Sequence, residues 1–124
     1  SKIVKFQSVQ LRNETKYPYL ISFAWVNKKE RICKGWYKVG VNEVLKFTLP
    51  KNFISNEIYF FGITNDENYK TSGSDNFFYM PKNIRKKNFT VINGEIKNGK
   101  GAIVRQGFKK IILSDSITKY RLLD

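Results

Sequence analysis

Short β-forming runs recur along this chain roughly every ten residues, each closed by Gly, Pro, Asn or Asp, and no stretch develops the apolar stripe of a helix. That period of two constrains the fold more than any other feature. Tyr17 to Val26 (YPYLISFAWV) is rich in β-branched and aromatic residues, with its proline near the start, where a strand tolerates one. In NEVLKFTLP, Val44, Lys46 and Thr48 share one face and Leu45, Phe47 and Leu49 the other, and Pro50 ends the run. NEIYFFGITND, from Asn56 to Asp66, is almost continuously apolar, the pattern of a strand buried on both sides. The runs around Phe77 to Tyr79, KKNFTVING, QGFKKIILSD and ITKYRLL extend the series, and SKIVKFQSVQLRN reads as the start of a strand. The best helix candidate, Met80 to Lys87, is short and has proline at its second position.

At 124 residues and 41% hydrophobic content, the chain can build one core without metals or disulfides, and two domains would each be too small. No internal repeat is visible. The expectation is an all-β single domain over residues 1–124, an antiparallel β-sandwich of about eight or nine strands. No apolar run is long enough for a transmembrane helix, and no basic and apolar leader pattern opens the sequence.

Between two of the strand runs lies CKGWYKVGVNEV. Gly35 before Trp36 permits a bulge or a close backbone approach, so that a large ring can lie across a neighbouring strand. Strict alternation puts Trp36 on one face with Lys34 and Lys38, and Tyr37 on the other with Cys33, Gly35 and Val39. Tyr37 is then the core residue. Trp36 between two lysines would be an outward stacking platform for a sugar ring or a base, unless a bulge at Gly35 resets the alternation. The competing reading of Lys34, Trp36, Tyr37 and Lys38 is a purely structural motif, since aromatics supply much of a small domain's buried area.

The ordered set LRNETKYPYLISFAWV, GWYKVGVNEVLKFTL, EIYFFGITND, FTVING and QGFKKIIL resembles a bacterial family of small exported proteins called domain of unknown function ten-thirty-six. The resemblance covers about residues 11 to 113, and its most specific element is Gly35-Trp36-Tyr37 with Gly40, supported by Phe89 and Gly107-Phe108. Tyr37 replaces a second Trp, Val39 stands in place of a turn proline, and cysteines expected after the turn and near Phe77 are absent. If those cysteines pair in the family, this chain relies on packing instead. The resemblance implies export and supplies no catalytic residues.

Catalysis is not indicated. There is no histidine, which removes the commonest general base and metal ligand together. The lone Cys33 has no imidazole to activate it and no cysteine partner, so it reads as a buried, inert thiol. Asp66, Glu67 and Asp75 bracket the loop NDENYKTSGSD and match no cation-loop spacing, and turn chemistry explains Asn65, Asp66, Gly73 and Asp75 without calcium or a glycosidase pair. NGEIKNGKG lacks the pattern of a phosphate-binding loop. No cofactor and no metal site are expected.

Charge is the strongest compositional signal: 23 basic residues, mostly lysine, against 10 acidic ones give a net charge of +13. Such a field attracts acidic macromolecules, whether polysaccharide, protein or nucleic acid. Lys82, Arg85, Lys86 and Lys87, with Lys97, Lys100 and Arg105, fall in segments between strands and form a candidate polyanion site, with Tyr79 as an accompanying aromatic. Lysines flanking strands also serve as solubilising gatekeepers. The sequence therefore points to a noncatalytic binding or interaction domain, secreted or periplasmic at a bacterial envelope. The alternative is a cytoplasmic, basic nucleic-acid or polyanion-binding domain, including an inhibitor of a nucleic-acid-binding protein.

Overall fold

A computed structural model of the chain describes residues 5–83 and 87–124. It is all-β, with no helix among the described residues. The strands are β1 (Ser8–Asn13), β2 (Tyr19–Asn27), β3 (Glu30–Val39), β4 (Val44–Thr48), β5 (Glu57–Thr64), β6 (Lys70–Thr71), β7 (Asn76–Pro81), β8 (Phe89–Ile92), β9 (Glu95–Ile96), β10 (Ile103–Ile112) and β11 (Ile117–Leu122). Two of these, β6 and β9, are two-residue additions to β5 and β8, which accounts for the excess over the expected count. The segment Glu95 to Arg105 contributes its two ends to β9 and β10 and forms a loop between them.

A small sheet has the order β11-β1-β4, and a large one the order β7-β10-β5-β2-β3-β8-β9, with β6 on the flank of β5. Neighbours are antiparallel except β1 and β11, which run parallel. The large sheet curls until β7 approaches β3 and β8, so it is a nearly closed barrel. The small sheet lies against its outside.

Two apolar clusters follow from this arrangement. Between the sheets, Phe47 of β4 inserts among Phe23, Trp25 and Tyr37, stacking on Phe23 at 4.4 Å between ring centroids. Inside the barrel, Trp36, Phe61, Phe78, Phe89 and Phe108 pack with Leu20, Ile63 and Met80. β2 and β5 serve both clusters, with Tyr19, Ile21, Phe23 and Trp25 facing one and Leu20 and Ala24 the other. That explains why the run at Ile58 to Ile63 shows no polar face. β4 has only one apolar face, and its alternation appears as read, with Leu45, Phe47 and Leu49 inward.

The turns follow local chemistry. Asn93 and Gly94 both have positive φ, as a two-residue hairpin between β8 and β9 requires. Between β3 and β4, Gly40 donates its N–H to Glu43 Oε1 at 2.6 Å, and Asn42 adopts φ 61° while donating its N–H to the Asn13 carbonyl at 2.7 Å. Asn13 itself is wholly buried. Its Nδ2 donates to the Tyr17 and Val39 carbonyls, and its Oδ1 accepts from the N–H and hydroxyl of Thr15. One side chain thus joins β1 to the start of β2 and the end of β3.

Candidate functional site

The Gly35-Trp36 stretch decides where the site lies. On the inter-sheet face of β2, Ile21 and Phe23 are two residues apart, yet their partners on β3, Tyr37 and Lys34, are three apart. The extra residue is a β-bulge, and it resets the alternation. Cys33 and Gly35 face the barrel before it, Trp36 faces the barrel after it, and Tyr37 turns to the inter-sheet cluster. Trp36 is therefore not an outward platform: it is 8% exposed and packs edge-on to Phe89 at 5.5 Å. Gly35 is required because a Cβ there would lie 2.6 Å from the Phe89 ring. Tyr37 is half-buried on the opposite side, where burial raises its hydroxyl pKa, Lys34 is half-buried, and Lys38 is exposed. These four residues do not share one surface.

The rim of the Trp36 indole instead reaches a cleft of about 240 Å³ at the mouth of the barrel. Lys87 and Asn88 come from the entry to β8, Asn98 and Lys100 from the loop after β9, and Pro81 from the end of β7. The loop is held in place by Asn98, whose Oδ1 accepts the Thr90 N–H at 3.0 Å and whose Nδ2 donates to the Asn88 carbonyl at 3.1 Å. Trp36, Lys87 and Lys100, expected in two separate sites, thus line one cleft. Lys82 is exposed beside it, with its N–H on the Ala102 carbonyl. Lys97 is turned to Glu95 at 3.3 Å. Arg85 and Lys86 lie outside the described residues.

Arg105 is elsewhere. Its guanidinium lies 4.0 Å above the Phe77 ring on the outer face of β10 and β7, opposite Tyr79 in register. Phe77 and Tyr79 are 38% and 45% exposed, so an aromatic and cationic ladder runs down the barrel wall. A second exposed aromatic pair, Tyr17 stacked on Tyr69 at 4.8 Å, has Lys16 and Lys70 beside it. The sequence carried no sign of that pair, whose members come from the turn before β2 and the loop after β5.

Asp66 and Asp75 have structural partners. Asp66 accepts hydrogen bonds from the Thr64 hydroxyl at 2.6 Å and from the N–H and side-chain amide of Asn68, and these hold its carboxyl below the usual carboxylate range. Asp75 accepts the Lys110 N–H at 2.9 Å, and Glu67 occupies a positive-φ turn position. Among the described residues, no group of three potential ligands is arranged to hold a metal. Cys33 is buried beside the Ser22 hydroxyl, and burial pushes its thiol up to about 12. A neutral thiol at that depth is a poor nucleophile.

Three ion pairs form among the described residues, through Lys97, Lys110 and Arg121, so most of the positive charge faces solvent without an acidic partner. No helix among the described residues is long and apolar enough to cross a membrane. A scan against family models, a search of curated proteins and a search of solved structures each found no match to this chain.

Proposed function

We propose that this domain is a noncatalytic binding module for an acidic polysaccharide, acting at a bacterial envelope or outside the cell. The observation that carries the reading is the convergence of Lys87, Lys100 and the Trp36 rim on one cleft at the barrel mouth. Two ammonium groups supply attraction for carboxylate or sulfate, and the side-chain amide of Asn88 supplies hydrogen bonds to hydroxyls. The cleft is smaller than the roughly 300 Å³ at which pockets for drug-sized ligands begin. It suits one ring of a polymer lying across the mouth. The location rests on the family resemblance.

The reading is tested by affinity for heparin and for alginate at roughly physiological salt. Lys87→Glu with Lys100→Glu is expected to weaken binding at least tenfold, whereas the same charge change at Lys16 and Lys119, away from the mouth, changes it less than threefold. Equal losses from both double variants would mean that only net charge matters, and the mouth would lose its role.

A second reading has its own observation, the ladder of Phe77, Arg105 and Tyr79 on the barrel wall, which suits base stacking along a single strand. Tighter binding of an oligo(dT) probe than of either polysaccharide, lost in Tyr79→Ala and Arg105→Ala, would select it.

A further inference from the structure

The end of the small sheet carries a feature that the barrel mouth does not involve. Ser8, the first residue of β1, is only 3% exposed, and its hydroxyl has no hydrogen-bond partner among the described residues. Such a group is costly to bury, and native structures rarely leave one unmatched without a reason. Alternation along β1 sends Val9 and Leu11 into the inter-sheet core and Ser8 to the opposite face, in a row with Ile117 of β11 and Thr48 of β4. There Ser8 lies in the wall of a cleft of about 280 Å³, its Oγ covered by its neighbours.

The other walls divide into two kinds. Lys5, Lys46 and Lys51 enter from three places: the segment before β1, the middle of β4, and the turn after it. Phe6, Pro50 and Ile117 form apolar surface beside them. Among the described residues, none of the three lysines has a carboxylate partner. Three ammonium groups, with the hydroxyl residues Ser8 and Thr48 in the same walls, fit a tetrahedral oxyanion with several acceptor oxygens, which a single carboxylate would satisfy less completely. The apolar walls give a substituent on that oxyanion something to lie against.

We infer that this cleft is a binding site for the phosphate group of an ester with an apolar substituent. Lys5, Lys46 and Lys51 balance the charge, the substituent rests on Phe6 and Ile117, and the Ser8 hydroxyl, covered in the free protein, turns toward the cleft to donate to one phosphate oxygen. The ordering of affinities separates a lipid-like ester from free phosphate as the source.

The experiment is a titration of the full chain with octyl phosphate, below its micelle concentration, and separately with inorganic phosphate, at constant ionic strength. Binding is read from the backbone amide resonances of Ser8 and Lys46. Octyl phosphate is expected to bind at least tenfold more tightly than inorganic phosphate, and Lys46→Glu to weaken it at least tenfold. Ser8→Ala is expected to weaken it about fivefold while leaving the melting temperature equal or higher, because it removes an unmatched buried hydroxyl. Equal affinity for the two probes, lost in the same variants, would keep the site and assign it to free phosphate. Shifts reproduced by octanol alone, or octyl phosphate affinity unchanged in both variants, would overturn the inference.

Discussion

Glycine is where single residues control this molecule most sharply, and two of them do so by the absence of a side chain. A Cβ on Gly107 would lie 2.1 Å from the carbonyl oxygen of Gly73, where the loop before β7 crosses the outer face of β10. Backbone on backbone has no flexible end to move aside, so Gly107→Ala is expected to destabilise the fold by about 2–3 kcal/mol, the upper part of the overpacking range. Gly99→Ala is the control: its nearest neighbour is 3.9 Å from the new atom, and urea unfolding should change by less than about 0.5 kcal/mol. Gly35 leaves room for a side chain instead, the buried Phe89 ring, and that is what the Gly-Trp-Tyr signature encodes. Strict alternation puts Trp36 on the outer face, and the bulge that Gly35 permits, opposite Ser22, resets it toward the barrel.

Among the elements, the seam between β3 and β7 is the least regular junction, because no ladder of paired residues joins the two strands. Arg31 closes it. Its guanidinium Nη2 donates to Asn76 Oδ1 at 2.7 Å and to the Phe77 carbonyl, and its Cζ lies 4.5 Å above the Phe78 ring. The Arg31 backbone exchanges hydrogen bonds with Asn93, so the same residue also anchors the β8–β9 hairpin. Arg31→Ala leaves a strand-edge carbonyl without its donor and strips one face from Phe78. The expected cost is about 2–3 kcal/mol, on the scale of hydrogen bonds to charged groups. Hydrogen exchange should locate it: protection is expected to fall along β7 first, with β1 and β11 unaffected. Arg31→Lys should recover little, since a compact ammonium cannot both fork between two acceptors and lie flat on a ring. Most strands, the two faces of β4 and several turns were legible in the sequence because each depends on residues within one or two positions. Arg31 was invisible there, because its partners lie on β7, far along the chain.

At the level of the whole molecule, the small sheet is tied by a clip that makes stability depend on acid. Arg121 at the end of β11 donates to both oxygens of Glu14, at 2.6 and 2.9 Å, just beyond the end of β1. The hydrogen bond from that guanidinium is the main reason the Glu14 carboxyl titrates below its ordinary 4.5. Asp66 is depressed from 3.8 in the same sense, chiefly by the Thr64 hydroxyl. A carboxyl depressed in the folded state stabilises it above the unfolded pKa, and that contribution disappears as pH falls through the folded value. The melting temperature is therefore expected to fall as pH drops below about 4.5, and Glu14→Gln with Asp66→Asn should flatten the decline. An unchanged acid profile in the double variant would show that other groups set it. Cys33 acts at the opposite end, since its raised thiol stabilises the fold below pH 9.0 and that contribution is lost as pH rises toward about 12.

An alternating chain with turn residues every ten positions can bury its apolar faces only by pairing strands and layering sheets, so the all-β class, most strand boundaries and the two-sided burial of β5 were already written in the order of residues. Those properties arise from backbone sterics and neighbouring side chains, which act over a few residues. The curl of the large sheet, the bulge that turns Trp36 into the barrel, and the meeting of Trp36, Lys87 and Lys100 at its mouth depend on how competing ladders and packed rings settle between distant segments. That competition is a property of the filled volume, and no local pattern carries it.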